Sequence, residues 1–289
     1  MKLARLRLQN GSTTAAIEVE EGYAPLEPAR GASRPCLADI LHSADPAKMA
    51  RELIDPGKAP WSRDEVSLLA PIDRQEVWAA GVTYRRSRVA RMEESAGAAS
   101  HYDRVYEAER PELFFKATAG RVSGPGEPVR VRADSRWSVP EPELALVISP
   151  AKKLVGFTIG NDMTARDLEG DNPLYLPQAK IYRQSAALGP CVWIPEQPID
   201  RASTRIVLTI VRQGSQIFEG QTRLDKMVRG FDELIGWLGR DNEFPNGVFL
   251  MTGTGIVPSD DVCLQDGDLV NIEIAGIGML SNPVVQDLV

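Results

Sequence analysis

Short apolar runs separated by glycine, proline and charged residues dominate the chain from residue 111 onward. ELFFKAT, EPVRVR, PELALVI, LVGFTIG, GPCVWI, RIVLTIVRQ, SQIFEG, GVFLMTG and LVNIEIAGIGML each have the length and residue content of a strand. So many strands at short spacing predict a sandwich, roll or barrel, not an alternating β/α sheet. Upstream, KLARLRLQ and TTAAIEVE alternate like hairpin strands around a glycine-containing turn. CLADILHSADPAKMARELID then reads as helical, and EVWAAGVTY as a buried strand. This pattern predicts an α+β, β-rich chain with a small α+β domain over residues 1–72 and a larger domain over 73–289. SRVARMEESAGAASHYDRVYEAER is polar and predicts a helical segment broken near Gly97, either solvated surface or a lid. KMVRGFDELIGWLGRD repeats Met227, Phe231, Leu234, Ile235 and Leu238 at helical spacing.

Two glutamates stand out against this pattern. Glu141 and Glu143 open the run PELALVI, and strand alternation places both on one face. Two like charges side by side need a cation or a shared proton. The next run ends in NDMTARD and delivers Asp162 at its C-terminal end. Three carboxylates on neighbouring strand ends point to a hard divalent ion, Mg²⁺ or Mn²⁺. The alternative for the isolated pair is a solvated strand edge.

Composition narrows the chemistry. The 289 residues are 43% hydrophobic and 25% charged, ordinary for a soluble globular protein. A net charge of −7 argues against a nucleic-acid partner. Cys36, Cys191 and Cys263 form no C-x-x-C pair, which favours a reducing cytoplasm. MKLARLRLQNGS lacks a signal-type apolar core, and no run is long enough to span a bilayer. Only His42 and His101 are present, so a histidine-rich zinc site is nearly excluded, as is a two-histidine iron site. No G-x-S-x-G elbow or Walker loop occurs.

Seven segments in collinear order carry a resemblance. They are GVTYRRS, RPELFFKAT, PEPELALVI, GFTIGNDMTARD, LPQAKIYRQSAALGP, MTGTGIVP and QDGDLVNIEIAGIGMLSNPV. Over roughly residues 77 to 285 the chain resembles the fumarylacetoacetate hydrolase family. The resemblance implies that family's rolled mixed β-structure behind a small N-terminal domain. It also implies Mg²⁺, with Mn²⁺ as a substitute, held by Glu141, Glu143 and Asp162. Lys180 would stabilise a developing enolate or hold a substrate carboxylate, and Lys116 would be structural or peripheral. Thr254 and Gly255 match a turn that offers polar groups to a substrate carboxylate. The implied assembly is a homodimer or homotetramer.

The chain departs from the hydrolytic members at one place. Where they carry a histidine to activate water, GVTYRRSRVARMEE has none, and the corresponding place is near Ser87. Without an imidazole, hydrolysis at neutral pH loses its natural base. The pattern resembles instead a dehydratase branch that acts on 2-keto-3-deoxy-arabinonate. The implied partner is a small 2-oxo sugar acid that would chelate the metal through carboxylate and ketone. Dehydration to 2,5-dioxopentanoate needs no attacking water. Glu112 is the candidate general acid/base, with a solvated strand-entry glutamate as its alternative. Ser87 would bind the leaving hydroxyl or simply end the strand. Arg85 and Arg86 are candidates to grip a carboxylate. Tyr182, Asp171 and Asn172 sit where a polyol might be read, and Arg166 and Asp167 suit an ion pair behind the ligands. Two other readings stay open: acylpyruvate or diketo-acid hydrolysis, decarboxylation or hydration with His101 folded over the metal, and a non-catalytic metal-binding scaffold.

Overall fold

The structure, a computed structural model, describes residues 1–27, 36–85, 105–259 and 261–287. The alternating N-terminal runs form β1 (Lys2–Leu8) and β2 (Thr13–Val19), followed by β3 (Gly22–Pro25). The stretch after them that reads as helical is two short helices, α1 (Leu37–Leu41) and α2 (Pro46–Glu52). Asp45 explains the break. Its side chain accepts a hydrogen bond from the Lys48 N–H, and Pro46 takes the first helical position. Strand β4 (Val66–Leu69) then pairs with β1.

The expected strands of the second half are present. They are β5 (Glu76–Gly81), β6 (Glu112–Thr118), β7 (Val122–Ser123), β8 (Val129–Val131) and β9 (Ser138–Val139). Next come β10 (Pro142–Ile148), β11 (Leu154–Asp162), β12 (Thr164–Ala165) and β13 (Ala186–Trp193). The last five are β14 (Arg205–Arg212), β15 (Ser215–Arg223), β16 (Val248–Met251), β17 (Leu269–Ile274) and β18 (Gly278–Gln286). Between β12 and β13 run two short helices, α3 (Arg166–Asp171) and α4 (Leu176–Lys180). The late amphipathic segment gives α5 (Phe231–Leu238), shorter than its periodicity suggests. Gly230 caps its N-terminus, the Gly230 N–H donating to Glu233, while Met227 bridges Tyr84 in an extended conformation.

Eleven strands make one sheet along the path β3-β2-β1-β13-β11-β10-β16-β5-β6, with β4 joined to β1 and β7 to β13. A second sheet runs β15-β14-β17-β18-β8. Most pairs are antiparallel, but β16 with β5, β13 with β7 and β18 with β8 are parallel, so the expected mixed β-structure is present.

Burial on both faces of β10 fixes where the site can form. Leu144, Leu146 and Ile148 join a core that includes Ile206, Leu208 and Ile272 of the second sheet. Ala145 and Val147 join the opposite core, with Leu3, Leu188, Phe249 and the α1 residues Leu37 and Ile40. PELALVI is therefore continuously apolar rather than alternating. Only the head of the strand is polar, and there the carboxylates gather.

Candidate active site

Strand geometry brings the three acidic residues together. In the β10–β11 pair Glu143 lies opposite Gly160, and the Asp162 N–H donates to the Glu141 carbonyl at 2.9 Å. One carboxylate oxygen from each of Glu141, Glu143 and Asp162 lies within 4.8 Å of the others. All three are buried, at 4%, 1% and 1% exposure. The shared face expected for Glu141 and Glu143 is thus observed, and Asp162 joins it from β11.

A chain of alternating charges holds the outer carboxylates. Lys116 Nζ, from β6, lies 2.5 Å from Asp162 Oδ1. Lys180, the last residue of α4, donates to Asp162 Oδ2 at 2.9 Å, Glu141 Oε2 at 2.7 Å and Thr164 Oγ1 at 2.7 Å. Arg166 closes the series on Glu141 Oε1 at 2.8 Å. Lys116 also donates to the carbonyls of Met163 and Lys180, which ties one lysine to the backbone of the other. Burial pushes the Lys116 ammonium below the usual lysine range, and the charge of Asp162 opposes that shift.

Glu143 stands outside this series. It accepts the Gly253 N–H at 2.5 Å and makes no ion pair among the described residues. Burial, reinforced by the charges of Asp162 and Glu141, holds its carboxyl well above the usual carboxylate range. Gly253 has φ +90°, and a Cβ there would lie 2.1 Å from Thr83 Oγ1, so only glycine delivers this N–H. A divalent cation among the three carboxylates would supply the counter-charge that Glu143 lacks. The donor set fits one: all three side chains offer oxygen, which Mg²⁺ and Mn²⁺ prefer. A cavity of about 20 Å³ lined by the triad, Lys180, Phe114 and Thr254 has room for one ion-sized occupant.

Glu112 and Glu169 border the same cavity. Glu112 enters from β6 opposite Gly81, where a Cβ would lie 2.0 Å from its Oε2, so the glycine makes room for the carboxylate. Both glutamates also line a wider cavity of about 360 Å³ with Val105, Arg110, Pro111, Leu113, Pro173 and Leu176.

The other expected residues fall in several places. Thr254 lines the triad cavity, and its hydroxyl donates to the Ile256 carbonyl at 3.2 Å. Gly255 packs against Tyr84 behind it. Tyr182 lines outer cavities beside Arg183 and is not brought to the triad cavity. Arg85 is exposed, as is Asp171, and Asn172 accepts the Leu174 N–H. Asp167 accepts from Ser135 Oγ and the Arg136 N–H. Arg86, Ser87 and His101 lie outside the described residues, with most of the polar segment that follows β5. His42 sits at the C-terminal end of α1, and no histidine lines the triad cavity among the described residues. Sequence reasoning missed Glu169 and Gly253; the glycine-rich TGTG turn was the only local signal for the second.

Residues 76–285 match the family described as "Fumarylacetoacetate (FAA) hydrolase C-terminal". The chain belongs to the fumarylacetoacetate hydrolase family. Within that family it is 48% identical over 214 residues to a probable 2-keto-3-deoxyxylonate dehydratase of Haloferax volcanii, covering 74% of this chain and 73% of the relative. It is 46% identical over 224 residues to the 2-dehydro-3-deoxy-D-arabinonate dehydratase of Saccharolobus solfataricus, covering 76% and 75%. A solved structure of 2-keto-3-deoxy-D-arabinonate dehydratase complexed with magnesium and 2,5-dioxopentanoate superposes with a TM-score of 0.85 at 36% identity, over 99% of both chains. The expected fold, a rolled mixed β-structure, is therefore that of the family.

Proposed function

We propose that the chain is a Mg²⁺-dependent dehydratase that converts 2-keto-3-deoxy-pentonates, such as 2-keto-3-deoxy-D-arabinonate, to 2,5-dioxopentanoate with loss of one water. The observation that carries this reading is the buried triad with an uncompensated Glu143, bridged by Lys180 and facing no histidine among the described residues. Similarity to the two dehydratases and to the magnesium complex supports it.

In this reading Glu141, Glu143 and Asp162 hold the ion. Mg²⁺, when bound, supplies Lewis acidity to the oxygens of a chelating 2-oxo acid and so acidifies the adjoining CH₂. Glu112, bordering both cavities, takes the C3 proton and returns a proton to the departing 4-hydroxyl. Lys180, whose three N–H groups go to Glu141, Asp162 and Thr164, supplies positive charge beside the enolate oxygen, in a site whose low exposure strengthens that attraction. Thr254, from the turn after β16, is the candidate for the substrate carboxylate, with Gly255 shaping the turn behind it. Arg85, Arg86, Ser87 and Tyr182 remain candidates for reading the hydroxyls and the leaving group. Homodimer or homotetramer assembly is part of the reading, and Leu174 at 83% exposure and Met279 at 55% offer apolar surface for it. A reducing cytoplasm suits three cysteines that form no disulfide.

Oxalate mimics the bidentate end of a 2-oxo acid, so calorimetry with oxalate tests the open metal site directly. Binding is expected only when Mg²⁺ is present, and a metal site closed by protein ligands would give none. Binding of oxalate to EDTA-treated protein would remove the metal from recognition.

Glu143 gives the site a pH signature. Its carboxyl is raised in the folded chain, which therefore keeps a proton that the unfolded chain releases near its ordinary pKa of about 4.3. Stability of the metal-free protein falls as pH rises above that value, and ligation of Mg²⁺ displaces the proton. The Tm difference between Mg²⁺-loaded and EDTA-treated protein is expected to grow between about pH 5 and about pH 8. Glu143→Gln should flatten that trend. A difference independent of pH in the unaltered protein would take Glu143 out of the ligand set.

A further inference from the structure

Reaching 2,5-dioxopentanoate takes more than one proton transfer. Loss of a C3 proton and the C4 hydroxyl yields water and a conjugated 5-hydroxy-2-oxopent-3-enoate. The remaining change is an internal redox isomerisation. C5 goes from alcohol to aldehyde while the C3–C4 double bond is reduced. One proton leaves C5 and one leaves the 5-hydroxyl, and C3 and C4 each gain one, so no outside oxidant is needed. The C5 end lies three bonds beyond the chelating ketone carbon, away from the triad.

The wall of the site carries a second carboxylate besides Glu112 and the triad. Glu169, on α3, is 3% exposed. It borders the triad cavity and also the cavity of about 360 Å³ beside it. Glu112 and Glu169 are the two described residues that line both, one from β6 and one from α3. With its chelating end at the triad, a five-carbon substrate would extend toward the wider cavity, past the two glutamates that border both. We infer that Glu169 is a second catalytic acid–base, which takes the C5 proton of the enone and returns a proton at C4, while Glu112 serves C3 and the 4-hydroxyl. The assignment rests on the dehydratase reading above. It explains the placement of a buried acid that metal binding and enolate stabilisation leave unused.

Glu169→Gln in the full chain with Mg²⁺ tests it. Semialdehyde formation from the 2-keto-3-deoxy-pentonate is expected to fall by about 10²–10⁴-fold, the range for loss of a general acid–base. Exchange of C3 hydrogen in D₂O, followed by proton NMR, should persist, and the enone should accumulate as a new ultraviolet absorbance. Mg²⁺-dependent oxalate binding reports an intact site. Semialdehyde formation at the unaltered rate, or loss of C3 exchange in step with product, overturns the assignment. The unaltered protein supplies a second arm that does not depend on the variant folding. Offered 5-hydroxy-2-oxopent-3-enoate directly, it should release the semialdehyde, and failure to do so overturns the assignment. If the unaltered protein makes no semialdehyde from the pentonate but isomerises the enone, and Glu169→Gln does not, the dehydratase reading fails and the role of Glu169 stands.

Discussion

Lys180→Met is expected to slow semialdehyde formation by about 10²–10³-fold, the range that loss of one preorganised donor produces. The side chain is 2% exposed, and its ammonium ties Glu141, Asp162 and Thr164 together. Methionine fills a similar space without the charge. The substitution also removes a positive charge 2.7 Å from Glu141 and 2.9 Å from Asp162, so affinity for Mg²⁺ should be retained or rise. Calorimetric titration of Mg²⁺ beside the rate assay separates these effects. A variant that loses Mg²⁺ binding in step with activity would make Lys180 a strut for the carboxylates and not the enolate's partner.

Lys116→Met carries the largest expected effect on stability. Lys116 is fully buried, 2.5 Å from Asp162 Oδ1, and donates to two backbone carbonyls. Removing one partner of such a pair leaves a buried charge uncompensated, at a cost of about 3–5 kcal/mol. The Tm of EDTA-treated protein should fall by on the order of 10 °C. Mg²⁺ supplies positive charge to the same carboxylate, so the loss should be smaller when Mg²⁺ is present. Thermal denaturation with and without the ion measures both values. An unchanged Tm would mean that Asp162 draws its compensation from Lys180 alone.

Those two lysines also show what the sequence could disclose. Glu141, Glu143 and Asp162 were readable because strand alternation is a local rule, and β10 and β11 are consecutive antiparallel strands whose ends must meet. The β-rich fold was readable for the same reason: PELALVI and LVGFTIG hold their character over several residues. The resemblance marked Lys116 only as structural or peripheral, and its direct pairing with Asp162 was not readable. Its partners Met163 and Lys180 lie 47 and 64 residues away and come together only when β6 packs beside the β10–β11 end. Glu169 sits on a six-residue helix too short for a periodic signal, so nothing local marks it as buried. The stretch before β4 that reads as helical is divided in two because Asp45 and Pro46 form a start signal inside it, and capping outweighed periodicity. The resemblance supplied Lys180, which spacing alone would have left as one lysine among many.

The central claim is that the triad and Lys180 serve metal-dependent elimination from a 2-keto-3-deoxy sugar acid. The most direct test is the initial rate of 2,5-dioxopentanoate formation from 2-keto-3-deoxy-D-arabinonate, with EDTA-treated protein and again after Mg²⁺ is restored. The account predicts semialdehyde release that disappears with EDTA, returns with Mg²⁺, and is absent in Glu143→Ala under both conditions. Semialdehyde release that EDTA leaves untouched, or none with Mg²⁺ present, would contradict it.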